Sequence, residues 1–304
     1  MATVRKLFNL RILWSLIKQS FKEWQEDKVS QLAAALAYYT VFSLTPLLVL
    51  AIAIAGAVFG EEAARGEIVG QIQGLVGKSG AEAIETALNN ANKPEISNIA
   101  SVISIVVLLF GASGVFAQLQ EALNAVWNVR AKPNSGVKGV IRKRFLSFSM
   151  VLAIGFLLLV SLVLSAALSA LASFQANLLP GLDSLWQLVN FVLSFGLITL
   201  LFALIYKYLP DVKIAWGDVW VGATITALLF SFGKYILGLY LGQGSFGSAY
   251  GAAGSLVILL AWVYYSAQIL LFGAEFTQVF ARHYGSQIIP DRHAERLPPK
   301  NSSY

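Results

Sequence analysis

The stretch "AAGSLVILLAWVYYSAQILLFGAEF", residues 252–276, carries one charge, Glu275, in 25 residues. A helix rises about 1.5 Å per residue and a bilayer's hydrocarbon core is about 30 Å thick, so about 20 mostly apolar residues are enough to cross it. Five further stretches meet that length: about 32–59, 97–118, 146–172, 185–206 and 218–241. Composition agrees, with 57% of the 304 residues hydrophobic and 12% charged, against roughly 25% charged in soluble domains. The predicted fold is therefore all-α, a polytopic membrane protein with six transmembrane helices in one domain over 32–280.

Six crossings leave both termini on one side, and the charges say which. Eighteen of the 22 Lys and Arg fall in 1–31, 119–145, 207–217 and 277–304, whereas the opposite side holds only Arg65, Lys78 and Lys93. Positive residues are retained in the cytoplasm, so cytoplasmic N- and C-termini are predicted. The net charge of +6 is an orientation signal and gives no reason to expect nucleic acid. No apolar region near the N-terminus is followed by a cleavage site of small residues, so a removable signal peptide is not expected. The absence of cysteine excludes disulfides and thiolate metal sites.

Within the N-terminal segment 1–31, Leu7, Leu10, Trp14, Ile17, Phe21 and Trp24 recur at helical spacing, with Arg11, Lys18 and Lys22 off that stripe. The pattern suits an amphipathic helix lying on the membrane, and equally one packed on the protein's own cytoplasmic face. The loop 60–96, with six Glu against three basic residues, is predicted as a small external helical cap built from two weakly amphipathic pieces, around Ile68, Ile72, Leu75 and around Ile84, Leu88. From Ala122 to Leu182 there is no acidic residue, while Arg130, Lys132, Lys138, Arg142, Lys143 and Arg144 precede the third span. Such a cluster sets topology and attracts anionic headgroups. The tail 281–304, with both histidines and three prolines, is expected to be partly disordered.

Several motifs imitate chemistry. Gly242, Gly244 and Gly247 satisfy G-x-G-x-x-G but follow a membrane helix, where a dinucleotide fingerprint needs a strand. Gly77-Lys78-Ser79 resembles the end of a phosphate loop, yet Ile72 stands where that loop requires glycine. His283 and His293 lack the spacing of a helical metal pair. The carboxylates Glu121, Asp211, Asp218 and Glu275 are scattered over different segments, so no enzyme, cofactor or metal is expected. Gly56/Gly60, Gly238/Gly242 and Gly247/Gly251, each four apart, are expected to bring helices close. Pro46 should kink or break the first span.

Three stretches, "DKVSQLAAALAYYTVFSLTPLL" (27–48), "LQEALNAVWNV" (119–129) and "SAYGAAGSLVILLAWVYYSAQILLFGAEFTQVF" (248–280), together resemble the YihY/BrkB family of bacterial inner-membrane proteins over nearly the whole chain. The resemblance implies six helices with cytoplasmic termini. Members have been linked to serum resistance and to export of lipopolysaccharide precursor lipids, and an older ribonuclease label is widely regarded as a misassignment. It implies no site residues.

Polar groups inside the spans are the remaining candidates. On a rise of about 1.5 Å per residue, Lys234 lies roughly 7 Å to the outer side of the midplane and Glu275 roughly 16 Å to the inner side, too far apart to pair. Level with Lys234 are Asn190 and Ser194, with Ser161, Ser165, Ser101 and Ser104 on neighbouring spans. Lys234 either snorkels to the headgroups, faces a water-filled cavity that accepts an anion, or has a pairing partner not visible here. A second polar layer, in the inner half, comprises Tyr38, Tyr39, Gln118, Glu121, Gln268 and Glu275, with Lys207 as a possible partner of Glu275. The function expected is a transporter or flippase for an anionic amphiphile, in which Arg142, Lys143 and Arg144 collect a headgroup that passes Lys234. The alternative is a non-transporting scaffold for envelope assembly. Anionic membrane lipids are the expected partners.

Overall fold

The computed structural model describes residues 10–91, 98–132, 183–242, 254–286 and 288–297. The elements run α1 (Leu10–Glu26), α2 (Val29–Phe59), α3 (Glu61–Ala91), α4 (Asn98–Val126), β1 (Val129–Ala131), α5 (Asp183–Tyr208), β2 (Val212–Lys213), α6 (Trp216–Gly242), α7 (Gly254–Tyr284), β3 (Ile289–Pro290) and β4 (Ala294–Arg296). Among the described residues four segments, Val29–Ala57, Phe191–Tyr208, Trp216–Ile236 and Leu256–Tyr284, are long and apolar enough to cross a membrane. The expected second span lies within α4. The expected third span, 146–172, lies outside the described residues, as do Arg142, Lys143 and Arg144.

Helix α7 is the hub, packing on α1, α2, α3, α4 and α6. Its partners explain why the 252–276 stretch is apolar on every side: Leu259 and Val263 pack with Leu48, Ile52, Ile84 and Leu88, Ala267, Leu271 and Ala274 join the main core, and Phe276, Val279 and Phe280 close on Leu16. The faces that meet other helices must be apolar, and so must the exposed Leu256, Ala261 and Tyr264 where they meet hydrocarbon, so hydropathy without periodicity is expected.

Helix α2 runs through Pro46 without a break. The proline lies against α4 at Gly111, where a Cβ would come within 3.0 Å of its ring. Ser43, one turn earlier, meets Gly114 in the same way. The glycines of α4 thus make room for the irregular face of α2. At the far end, Gly60 adopts φ 87 and its N–H bonds Gly56 O, a left-handed turn that glycine adopts without strain. Gly56 and Gly60 therefore serve a turn rather than a helix crossing, while Gly247 and Gly251 lie outside the described residues.

Helix α3 is not straight. Arg65 Nη2 donates to Asn89 Oδ1, whereas 24 residues of straight helix would separate them by about 36 Å. The segment doubles back, which brings Ile68, Val69 and Ile72 into the same cluster as Ile84 and Leu88 against α2 and α7. Its two amphipathic pieces are the two arms of this fold-back.

Part of the tail is ordered. Residues 288–297 form β3 and β4, antiparallel to β2 and β1, and Lys132 N bonds His293 O, Asp291 N bonds Asp211 O and Leu297 N bonds Asn128 O. Three prolines in the tail suggested partial disorder, but backbone hydrogen bonding to two other loops orders residues 288–297. These strands, together with α1 on the C-terminal turns of α7, place residues 10–26, 128–132, 209–215 and 288–297 at one end of the bundle, called below the terminal face.

Candidate functional site

The terminal half of the bundle is joined by a seam between α6 and α7. A Cβ at Gly222 would fall within the Thr277 side chain, and one at Gly273 within that of Thr226. The two helices thus present reciprocal Gly-x-x-x-Thr pairs, antiparallel and in register. Thr226 and Thr277 return their hydroxyls to Gly222 O at 2.8 Å and Gly273 O at 2.6 Å. Tyr206 of α5 ties a third helix in, its hydroxyl 2.9 Å from Thr226 Oγ1 and donating to Leu270 O at 2.7 Å. Without water to compete, small residues let backbones approach and hydroxyls are bonded internally.

Below the seam, Asp211 is held by helix α4. Asn124 Nδ2 donates to its Oδ2 at 2.8 Å, Gln120 Nε2 to its Oδ1 at 3.2 Å, and Asp211 N donates to Asn124 Oδ1 at 2.8 Å. Asp218, at the first turn of α6, receives Ser286 N at 2.8 Å and Ser286 Oγ at 2.7 Å. Both carboxylates are buried and act as fasteners between the ends of spans.

Glu275 has no exposed surface. Trp24 Nε1 donates to Gln268 Oε1 at 3.1 Å, and Arg282 pairs with Glu23. Gln268 and Arg282 lie seven residues to either side of Glu275, hence on the same face of α7. The end of α1 therefore lies across Glu275 and shields it.

The predicted inner layer does not converge. Tyr38, Tyr39 and Glu121 are exposed and Gln118 and Gln268 are half-buried, so of these six residues Glu275 is the buried one. Lys207 bonds Ile214 O and stands 5.5 Å from the Trp216 ring centre. Lys234 is exposed on α6, beside Phe232, Tyr235 and Ile236, and Ser194 is exposed on α5. The side chains of Asn190, Ser101 and Ser104, and all of Ser161 and Ser165, lie outside the described residues. The seam register sets Lys234 level with Tyr265, about 15 Å along the axis from Glu275, somewhat closer than the 20 Å and more read from span centres.

The polar residues that do meet, Gln120, Asn124 and Asp211, include two that charge-based reading passed over in favour of their neighbour Glu121. A signal was present: Phe116, Gln120, Leu123, Asn124 and Trp127 share one helical face, and all are buried. Similarly, a search for glycine pairs missed Gly222/Thr226 and Gly273/Thr277, in which threonine takes the second small position.

A family model described as virulence factor BrkB matches residues 20–298. A UPF0761 membrane protein of Ralstonia nicotianae is 30% identical over 89% of this chain and 60% of its own length. Another, of Alteromonas mediterranea, is 28% identical over 92% of this chain and 91% of its own, and one of Tolumonas auensis is 33% identical over 58% of this chain and 56% of its own. The chain thus spans about three-fifths of the Ralstonia relative and nearly all of the Alteromonas one. No solved structure matches it.

Proposed function

The chain belongs to the virulence factor BrkB family of membrane proteins, and on that premise we propose that it is a transporter or flippase for an anionic amphiphile, a lipid or lipid-linked envelope precursor, in the bacterial inner membrane. The terminal face is its cytoplasmic side. What supports this orientation is that the four segments gathered there belong to the stretches 1–31, 119–145, 207–217 and 277–304, which hold 18 of the 22 Lys and Arg, as retention of basic residues in the cytoplasm requires.

The observation that carries the transport reading is Glu275. An ionisable group at complete burial in a membrane helix is costly to maintain, and such groups mark substrate or ion pathways. In this reading Arg142, Lys143 and Arg144 collect the headgroup at the cytoplasmic surface, and Lys234, with Asn190 and Ser194, meets it in the outer half. The role is non-enzymatic and involves no nucleic acid.

The test is translocation of a fluorescent anionic phospholipid by purified protein in liposomes. Lys234→Ala and Arg142→Ala should each lower the rate roughly tenfold, the size of one lost contact of about 1.4 kcal/mol. No flux from the unaltered protein, or an unchanged rate in both variants, overturns the reading.

A second reading, a scaffold for envelope assembly, is supported by the strand pairs that order the terminal face. Reproducible cross-linked partners from residues 61–91 or 288–297, together with no flux, would favour it.

A further inference from the structure

Two groups of aromatic side chains lie exposed near the terminal face, and apart from the approach of Lys207 to Trp216 neither takes part in the contacts described above. On α1, Trp14 is 70% exposed and Phe21 51%. They are two turns apart on one face, flanked by Arg11, Lys18 and Lys22, all exposed. The opposite face of the same helix buries Leu16 against Phe276, Val279 and Phe280, and Ser20 on that face is buried too. Packing on α7 therefore accounts for one side of α1 only, and the predicted stripe is split between the two: Ile17 and Trp24 turn inward, Trp14 and Phe21 outward.

The second group joins α5 to α6. Tyr208, Trp216 and Trp220 are 52%, 40% and 42% exposed, with the Tyr208 and Trp216 rings 6.0 Å apart and those of Trp216 and Trp220 6.3 Å apart. Lys207 Nζ stands 5.5 Å from the Trp216 ring centre.

The two groups stand at one level. With Gly222 opposite Thr277, Trp220 is level with Val279, and Leu16 packs on Val279 together with Val221 and Ile225 of α6. From Trp220 to Gly242, the end of α6, is about 33 Å of helix, close to the roughly 30 Å of a hydrocarbon core. We propose that Trp14, Phe21, Tyr208, Trp216 and Trp220 form one interfacial belt that seats the terminal face in the headgroup layer of a phospholipid membrane, with α1 lying in that layer. Indole and phenol rings combine an apolar body with a polar edge and favour this depth. Arg11, Lys18 and Lys22 beside Trp14 and Phe21 match anionic headgroups, the composition of a helix held in the interface.

The belt rests on the membrane family and not on the transport reading, so either can fail without the other. The test uses full-length single-tryptophan variants, with the other six replaced by phenylalanine, in nanodiscs of mixed neutral and anionic phospholipid. Lipids brominated near the headgroup should quench Trp14 and Trp216 about twofold more than lipids brominated near the chain end. Trp127, which is buried, should in its own single-tryptophan variant respond to neither, and a monodisperse peak with the unaltered protein's helical circular dichroism shows that each variant is folded. Quenching of Trp14 and Trp216 by aqueous acrylamide with no response to brominated lipid overturns the belt, as does stronger quenching from the chain end. Quenching of Trp216 with Trp14 in water would overturn the placement of α1.

Discussion

The seam between α6 and α7 and the Asp211 fastening are both joints between helices, yet they are built from opposite materials. The seam uses residues with almost no side chain, Gly222 and Gly273, and hydroxyls that bond within their own helix. The Asp211 joint uses a carboxylate and two carboxamides from segments 87 and 91 residues away. Inside hydrocarbon there is no hydrophobic drive between helices, so close approach and dispersion do the joining. At the terminal face, where chain ends and loops meet, a buried carboxylate can be satisfied by convergent N–H donors, each bond to a charged group contributing about 1.5–3 kcal/mol.

If that contrast is right, the seam should be the more sensitive to added volume. Gly273→Leu or Gly222→Leu should cost about 3 kcal/mol or more, because Thr226, Tyr206 and Thr277 leave no space for a side chain and overpacking strains the helices. The measure is folded, monodisperse yield and thermal unfolding in detergent. Gly196→Leu on α5, where a Cβ meets nothing within 4 Å, should behave as the unaltered protein. Equal damage at Gly196 would break the comparison.

The Asp211 joint should instead be sensitive to loss of charge. Asp211→Ala strands Asn124 and Gln120 among buried residues and should cost about 2–3 kcal/mol by thermal unfolding. Asp211→Asn, which keeps one acceptor, should cost less. An unaffected Asp211→Ala would mean that water already serves the two amides.

The smallest effect belongs to the hydroxyl shared by three helices. Tyr206→Phe keeps the ring and removes the bonds to Thr226 and Leu270 O. Hydrogen bonds between membrane helices average about 0.6 kcal/mol and reach about 1.7, so a loss of about 1 kcal/mol is expected in the same assay. A larger loss would show that the seam depends on polar bonds as much as the terminal face does.

Much of the architecture was legible in the residues themselves. The spans within α2, α5, α6 and α7 stand out because the cost of placing a segment in hydrocarbon is a sum over its own residues, which a window of sequence contains. The two arms of α3 were visible as two amphipathic pieces, though not that they fold onto α2 and α7. Glu275 was also identifiable, as the one charge in the apolar run 252–276.

Tertiary structure decided which polar groups meet. Glu121 and Glu275 are alike as charges in a sequence, but one is exposed and the other fully enclosed, with the end of α1 bonded to α7 on either side of Glu275. Asn124 and Asp211 become partners only when α4 and the α5–β2 turn are brought side by side, and residues 288–297 gain order only from the strands they find there. Transfer into a membrane depends on local composition, so the sequence alone determined that this chain is a membrane protein and where the apolar helices among the described residues lie. Hydrogen bonds and close contacts depend on distances between residues remote in the chain, and those exist only once the bundle has packed.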